Sequence, residues 1–267
     1  MQEAEQVIVF SMFWALLHPL LVGSTPFSQE LFPRDCADVY ANGHTVSEVY
    51  AIYPAGETPV QVYCDMGCWG SQIDDGNWTV IQRRIDGNVS FYRPWEQYKE
   101  GFGNAAGEYW LGLENIFLMT NTDKYMLRVD MEDFEKGSAY AQYTLFYIDS
   151  ESSYYRLNIG GYVNGGAGDS LSYVNGRYFS TFDKSYSGSC PETYNGGFWY
   201  NYHYFYYYYY YRYYTCHIAN PNGLYKYGHV STPNTGIIWQ SRKNYYYSLK
   251  TITMKIRQIG PEDLERL

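Results

Sequence analysis

Five short runs of alternating apolar and polar residues constrain the fold of this chain most strongly. They lie at residues 78–84, 125–131, 139–148, 155–159 and 251–256. Alternation with a period of two is typical of β-strands that bury one face. Short helices are predicted at 35–41, 94–99 and 113–119, whereas long helical periodicity is scarce and the 25 glycines are spread throughout. This mixture predicts an α+β fold with an antiparallel sheet rather than alternating βαβ units.

Length and charge narrow the classes of function. The 267 residues, 46% of them hydrophobic, can bury a sizeable core in one large domain or two small ones. The 19 basic and 28 acidic side chains give a net charge of -9. Because an acidic protein repels phosphate backbones and anionic lipid surfaces, we expect no nucleic-acid partner.

The N-terminus contains an apolar run, "VIVFSMFWALLHPLLVG", followed by small and turn-forming residues. This pattern predicts a signal peptide over residues 1–24, cleavage near Ser24 and a short linker at 25–34. A membrane anchor is the alternative, but the run is interrupted by His18-Pro19 and is short for a hydrocarbon core of about 30 Å. We therefore expect a secreted protein without a membrane span.

Five cysteines in an exported protein are expected to pair, and one must be left over. Cys36 and Cys64 bracket an early segment, and Cys190 and Cys216 bracket a late one. Cys68 is then the odd residue, and three interpretations are open: a free buried thiol, a bridge between subunits, or an alternative partner for Cys36. No Cys/His group has the spacing of a zinc site.

Two sequons mark candidate N-glycosylation sites. Asn88 follows the turn dipeptide Asp86-Gly87, which predicts an exposed acceptor. Asn77 lies at the start of a predicted strand, where a glycan is harder to place.

Several longer stretches resemble a fibrinogen C-terminal domain over residues 35–258. They include "DCADVYANGHTVSEVYAIYP", "GNWTVIQRRIDGNVSFYRPWEQYKEGFG", "GEYWLGLENI", "AGDSLSYVNGRYFSTFD" and "CHIANPNGLY". Within that family the chain is most similar to the microfibril-associated glycoprotein 4 group. The resemblance implies a Cys36–Cys64 disulfide near the N-terminus, a central antiparallel sheet, and a loop-rich C-terminal part closed by a Cys190–Cys216 disulfide. A polar tail follows at 259–267.

The resemblance also implies a calcium site after "FSTFD", held by two Asp side chains two residues apart. Asp183 matches the first position, but the second is Ser185, and the loop to Cys190 is shorter than usual. Calcium prefers six to eight oxygen ligands, so a lost carboxylate matters. Two interpretations are open: a weakened calcium site on Asp183 and backbone carbonyls, or a polar turn in which Asp183 caps backbone N–H groups.

By the same resemblance, an acetyl-group pocket lies beside that calcium site. Tyr194 and His217 match two of its wall positions, and the Thr215–Cys216 peptide matches a strained bond that presents an N–H to the ligand. Two further wall positions, a Tyr-Ala pair in the family, are occupied here by Pro233-Asn234. His217 could equally be a structural histidine packed under the disulfide.

Catalytic motifs are absent from the sequence. There is no nucleophile elbow, no phosphate-binding loop and no HExxH helix. We therefore expect a protein that is not an enzyme.

Residues 202–214, "YHYFYYYYYYRYY", form a tyrosine-rich insertion. Without them the chain reads "GGFWYNTCHIANPNGLY", which matches the family without interruption. Three interpretations compete: a binding surface rich in amphipathic Tyr, an aggregation-prone segment with little charge, or a low-complexity expansion or gene-model error without a selected role.

Taken together, the resemblance implies a secreted, non-enzymatic glycoprotein of the extracellular matrix that associates with elastic fibres or microfibrils, supports cell adhesion and forms oligomers. The alternative is an innate-immune lectin that binds acetylated glycans in a calcium-dependent manner. Ser185 and Pro233-Asn234 favour the matrix protein. The chain contains no Arg-Gly-Asp, so integrin adhesion through that motif is not implied.

Overall fold

A computed structural model describes residues 32–67, 76–201 and 216–260, together with Asp263. The predicted signal peptide, Cys68, Thr215 and the insertion at 202–214 lie outside the described residues. Within the described ranges, no helix is both long and apolar enough to cross a membrane.

Short strands and a few short helices make up the described chain. The strands are β1 (Glu48–Ile52), β2 (Val60–Asp65), β3 (Trp78–Arg84), β4 (Phe102–Gly103), β5 (Tyr109–Trp110), β6 (Tyr125–Glu132), β7 (Ser138–Ile148), β8 (Leu157–Gly165), β9 (Phe179–Ser180), β10 (Phe198–Trp199), β11 (Ala219–Asn220), β12 (Gly228–His229), β13 (Ile238–Trp239), β14 (Tyr247–Ser248) and β15 (Thr251–Gln258). The α-helices are α1 (Cys36–Ala41), α2 (Trp95–Glu100), α3 (Leu113–Thr120) and α4 (Cys190–Tyr194).

One antiparallel sheet organises these elements, with the spatial order β1-β2-β3-β15-β6-β7-β8. The last strand of the chain, β15, lies between β3 and β6, so the C-terminus completes the centre of the sheet. On the other edge of β3, β2 pairs with the first half and β5 with the second half. Three two-stranded ribbons, β9–β10, β11–β13 and β12–β14, lie outside this sheet.

The predicted α+β class is confirmed, and all five predicted strands and three predicted helices are present to within a few residues. One strand prediction is wrong at its start: Tyr154 and Tyr155 have left-handed backbones, with φ of 52° and 45°, so β8 begins only at Leu157. Ten strands were not predicted: eight of them are only two residues long, and the other two are β1 and β2. In β2 the alternation of Val60, Val62 and Cys64 was a usable signal, whereas β1 buries only its last residue.

The core packs against the central strands, whose two faces are both largely covered: β3 is buried at six of its seven positions and β6 at six of its eight. Apolar side chains alternate along one of these faces, since successive side chains of a strand point to opposite sides. They include Leu127, Val129 and Met131 of β6 and Ile252, Met254 and Ile256 of β15, all buried. Beside them an aromatic cluster of Trp95, Tyr98, Trp110, Phe179 and Trp199 joins α2 and β5 to the β9–β10 ribbon, with ring centroids 5.1 to 6.3 Å apart.

A buried ion pair attaches the C-terminal loops to the sheet. Arg84, at the end of β3, lies 3.5 Å from Glu108 and donates to the carbonyls of Pro221 and Gly223 at 3.1 and 2.7 Å. Its guanidinium also lies 4.1 Å from the centroid of the Phe91 ring. Since Gln82 of the same strand donates to the Pro221 carbonyl as well, two side chains of β3 hold one C-terminal turn.

Glu108 is surrounded by donors. Its Oε1 accepts from the backbone N–H groups of Ile85 and Gly87 at 2.8 and 3.0 Å, and Oε2 accepts from Val89 at 3.0 Å. Burial opposes the charge of Glu108, yet these N–H groups and the Arg84 guanidinium lower the pKa of its carboxyl below the usual value. Glu108 is therefore an ionised, fully bonded carboxylate inside the protein.

We expect Glu108→Gln to lower the free energy of unfolding by about 3–5 kcal/mol, because Arg84 would keep its charge without a buried partner. Glu132→Gln is a matched control, since Glu132 forms a half-exposed pair with Lys250 at 2.7 Å; such pairs contribute at most about 1 kcal/mol. Denaturant unfolding of both variants checks this. Equal, small decreases in the free energy of unfolding of the two variants would contradict the role assigned to Glu108.

The same carboxylate predicts a pH dependence. Because folding lowers the pKa of Glu108, the stabilisation it contributes is complete above its unfolded-state pKa and is lost as the pH falls through the lower folded-state value. The free energy of unfolding of the wild type should therefore fall more steeply in acid than that of Glu108→Gln. Parallel curves from about pH 6 to about pH 3 would argue against this assignment.

The two sequons flank β3 and differ in environment. Asn88 is exposed, and its Nδ2 donates to Asp86 Oδ2 at 2.6 Å in an open turn. Asn77 is half-buried with a left-handed backbone (φ 60°), and Thr79 of its sequon is 1% exposed.

We predict that the secreted chain carries a glycan on Asn88 and none on Asn77, because only the first site has room for one. Intact mass before and after enzymatic deglycosylation should show one glycan, which Asn88→Gln removes and Asn77→Gln retains. A glycan that persists in Asn88→Gln would show that the buried sequon is used.

Candidate functional site

The β9–β10 ribbon carries both sites that the sequence singles out. Between its two strands lie the loop 181–189, where calcium is expected, and α4, which ends at Tyr194. The structure contains both expected disulfides: Cys36–Cys64 with a Cα–Cα distance of 5.4 Å and Cys190–Cys216 with 5.9 Å. The second joins the start of α4 to Cys216, the residue before His217, so the loop and the expected pocket are adjacent.

Asp183 caps a helix. Its Oδ1 accepts from the backbone N–H of Trp95, the first residue of α2, at 2.9 Å, and from Thr181 Oγ1 at 2.7 Å. The residue at the N-cap of α2 is Pro94, whose side chain has no acceptor, so Asp183 supplies the oxygen that a Ser or Asp cap would normally supply. One of its two carboxylate oxygens is thus engaged within the protein.

Ser185 closes its own loop. Its hydroxyl donates to the Gly188 carbonyl at 2.7 Å and accepts from the Ser187 N–H at 3.1 Å. A neutral hydroxyl with these two bonds is a poor substitute for a carboxylate ligand of calcium.

The loop therefore does not fit a calcium ion of full coordination. Asp183 is the one carboxylate of this loop, so most of the six to eight oxygen ligands that calcium prefers would have to be neutral. Among the residues that the structure describes, no group of three or more His, Cys, Asp or Glu side chains is placed to hold a metal ion.

A cationic side chain from the loop itself lies against the core, and the sequence analysis missed it. The Lys184 Nζ is 4.0 Å from the centroid of the Trp95 ring and 3.5 Å from Glu151 Oε1. Glu151 also bonds Lys99 at 2.6 Å and accepts from the Trp95 indole N–H at 2.9 Å. These donors lower the pKa of Glu151 to about 2, Lys99 and the Trp95 indole being the largest causes.

Tyr194 and His217 meet, as the family resemblance implies. Their ring centroids are 4.6 Å apart in an edge-to-face arrangement, and the Tyr200 ring lies 5.9 Å from His217 on another side. His217 is only 2% exposed. Tyr200 is a residue that the sequence did not single out, although it ends the aromatic run "GGFWY" directly after β10.

Burial keeps His217 neutral. It lowers the pKa of the imidazole to about 3, although the nearby backbone of Asn234 opposes this shift. Neither ring nitrogen has a hydrogen-bond partner of normal geometry within the described part of the chain. The ring therefore packs as an aromatic side chain in a triangle with Tyr194 and Tyr200, whose own centroids are 6.4 Å apart.

The substituted wall positions also lie here. Asn234 has a left-handed backbone with φ of 65°, and its N–H donates to the Tyr245 carbonyl at 2.9 Å. Asparagine tolerates this conformation, which alanine adopts only with strain. Asn234, at a position where the resemblance implies alanine, therefore has a backbone that suits asparagine.

Comparisons with known proteins agree with this architecture. The family model described as "Fibrinogen beta and gamma chains, C-terminal globular domain" matches residues 32–259. Human microfibril-associated glycoprotein 4 is 47% identical over 236 residues, which is 85% of this chain and 85% of that protein. Techylectin-5A of Tachypleus tridentatus is 43% identical over 85% of this chain and 74% of its own length.

A solved structure has the same fold. The fibrinogen-like globe domain of human ANGPTL2 is 41% identical, superposes with a TM-score of 0.74, and covers 84% of this chain and 98% of that one. Disulfides such as the two found here persist outside the reducing cytosol, so the protein is secreted. The chain belongs to the fibrinogen C-terminal domain family.

Proposed function

We propose that this protein is a non-enzymatic recognition glycoprotein of the extracellular matrix, associated with elastic fibres or microfibrils and involved in cell adhesion. The burial of His217 carries the proposal. His217 is 2% exposed and contacts the rings of Tyr194 and Tyr200, so an acetyl group could reach the imidazole only after neighbouring side chains move; this packing favours recognition of a protein surface over a small acetylated ligand. The similarity to microfibril-associated glycoprotein 4 supports the same conclusion.

A lectin is the second candidate. The meeting of Tyr194 and His217 beside the Cys190–Cys216 disulfide favours it, as does the similarity to techylectin-5A. In that case the protein would bind acetylated glycans, and the tyrosine rings would have to open toward the ligand. Calcium would then be bound by Asp183 and loop carbonyls.

Binding assays with the secreted chain separate the two candidates. The matrix proposal expects retention on immobilised tropoelastin or collagen, equal in calcium and in chelator, and no retention on acetylated resin. Tyr40→Ala is a suitable control for Tyr194→Ala, since Tyr40 of α1 is 45% exposed and lies outside both the Tyr194–His217 contact and the loop 181–189. Retention on acetylated resin that requires calcium and is lost only in Tyr194→Ala would establish the lectin instead.

We also propose that Cys68, which lies outside the described residues, links two subunits. Non-reducing electrophoresis should show a band at twice the monomer mass, which disappears in Cys68→Ser. A monomer band alone for the wild-type protein would refute the bridge.

A further inference from the structure

The loop 181–189 leads to the candidate recognition face, by which we mean the surface around Tyr194 and His217. It connects β9, which is packed in the aromatic core, to α4, which carries Cys190 and Tyr194. Whatever holds this loop also sets the position of Tyr194. A loop of this kind needs a fixed attachment to the rest of the domain.

Internal hydrogen bonds occupy much of the loop. Thr181 and Lys184 exchange backbone bonds, N–H to C=O, at 3.0 and 3.3 Å. The Tyr186 N–H donates to Ser180 Oγ at 3.1 Å, and the Gly188 carbonyl accepts from Ser185. The carbonyls of residues 181, 184 and 188 therefore already accept hydrogen bonds.

Trp95 is the attachment point. Its backbone N–H donates to Asp183, its indole N–H donates to Glu151, and its ring faces the Lys184 ammonium. Trp95 is itself 2% exposed, so it is a rigid partner. Glu151 completes the arrangement because it binds Lys184 and the Trp95 indole at the same time.

We propose that the Lys184 ammonium, held between Glu151 and the Trp95 ring, takes the place of a metal ion in fixing this loop, which makes the recognition face independent of calcium. A cation between a carboxylate and an aromatic face is attracted by both. The calcium independence of recognition rests on the proposed function. The fixing of the loop by Lys184 does not, because it involves no ligand.

Amide hydrogen exchange of the full secreted chain, read by mass spectrometry, tests the structural claim. Exchange of the peptide covering residues 180–190 should be the same in millimolar calcium and in chelator. Lys184→Met keeps the aliphatic stem on Trp95 but removes the charge, so it should speed exchange in this peptide severalfold. Glu151→Gln, which retains an acceptor for the indole, should have the same local effect and serves if Lys184→Met folds poorly.

Lys250→Met is the matched control, because Lys250 has similar exposure and one carboxylate partner but no aromatic ring. It should leave the exchange of residues 180–190 unchanged. Slower exchange of this peptide in calcium, or unchanged exchange in both Lys184→Met and Glu151→Gln, would overturn the proposal. If the protein does not bind matrix proteins but its exchange is independent of calcium, the proposed function is refuted. The proposal that Lys184 fixes the loop is then unaffected.

Discussion

The buried pair of Arg84 and Glu108 is the interaction on which the rest of this structure depends. Two charges inside a protein are costly unless they are paired and hydrogen-bonded; here Glu108 accepts from backbone N–H groups and faces Arg84, whose Nη1 donates to two C-terminal carbonyls. Between β8 and β15 the chain has only two-residue strands. This loop-rich region is attached to β3 at the Pro221–Gly223 turn.

The position of the recognition face depends on this attachment and on a second one at Trp95. The first positions the segment from Cys216 onward, and the second positions the loop that leads to Tyr194. The Cys190–Cys216 disulfide then joins the two segments. Tyr194 and His217 are thus brought together by three separate constraints, each built from side chains of the chain itself, and their packing leaves His217 buried and neutral.

Local patterns in the sequence predicted what depends on local chemistry. Alternation located β3, β6, β7 and β15, and the Pro94 region located α2. The resemblance predicted that Tyr194 and His217 lie in one pocket, and Ser185 at the second Asp position indicated a weak calcium site. Alternation could not reveal that Glu108 pairs with Arg84, or that Lys184 lies on Trp95, because such contacts join residues far apart in sequence; Asp183 and Trp95, for example, are 88 residues apart. Tyr155 was placed in a strand because its apolar pattern fits one, whereas its left-handed backbone depends on the preceding turn.

The central claim is that this domain holds its recognition face with its own side chains where a calcium ion would otherwise be expected. A crystal structure of the secreted protein, grown in calcium and examined for anomalous scattering, tests the claim most directly. The account predicts the Lys184 ammonium over the Trp95 ring, Asp183 bonded to the Trp95 N–H, and no calcium at this loop. A calcium ion coordinated by Asp183 and loop carbonyls, with Lys184 turned into solvent, would contradict it.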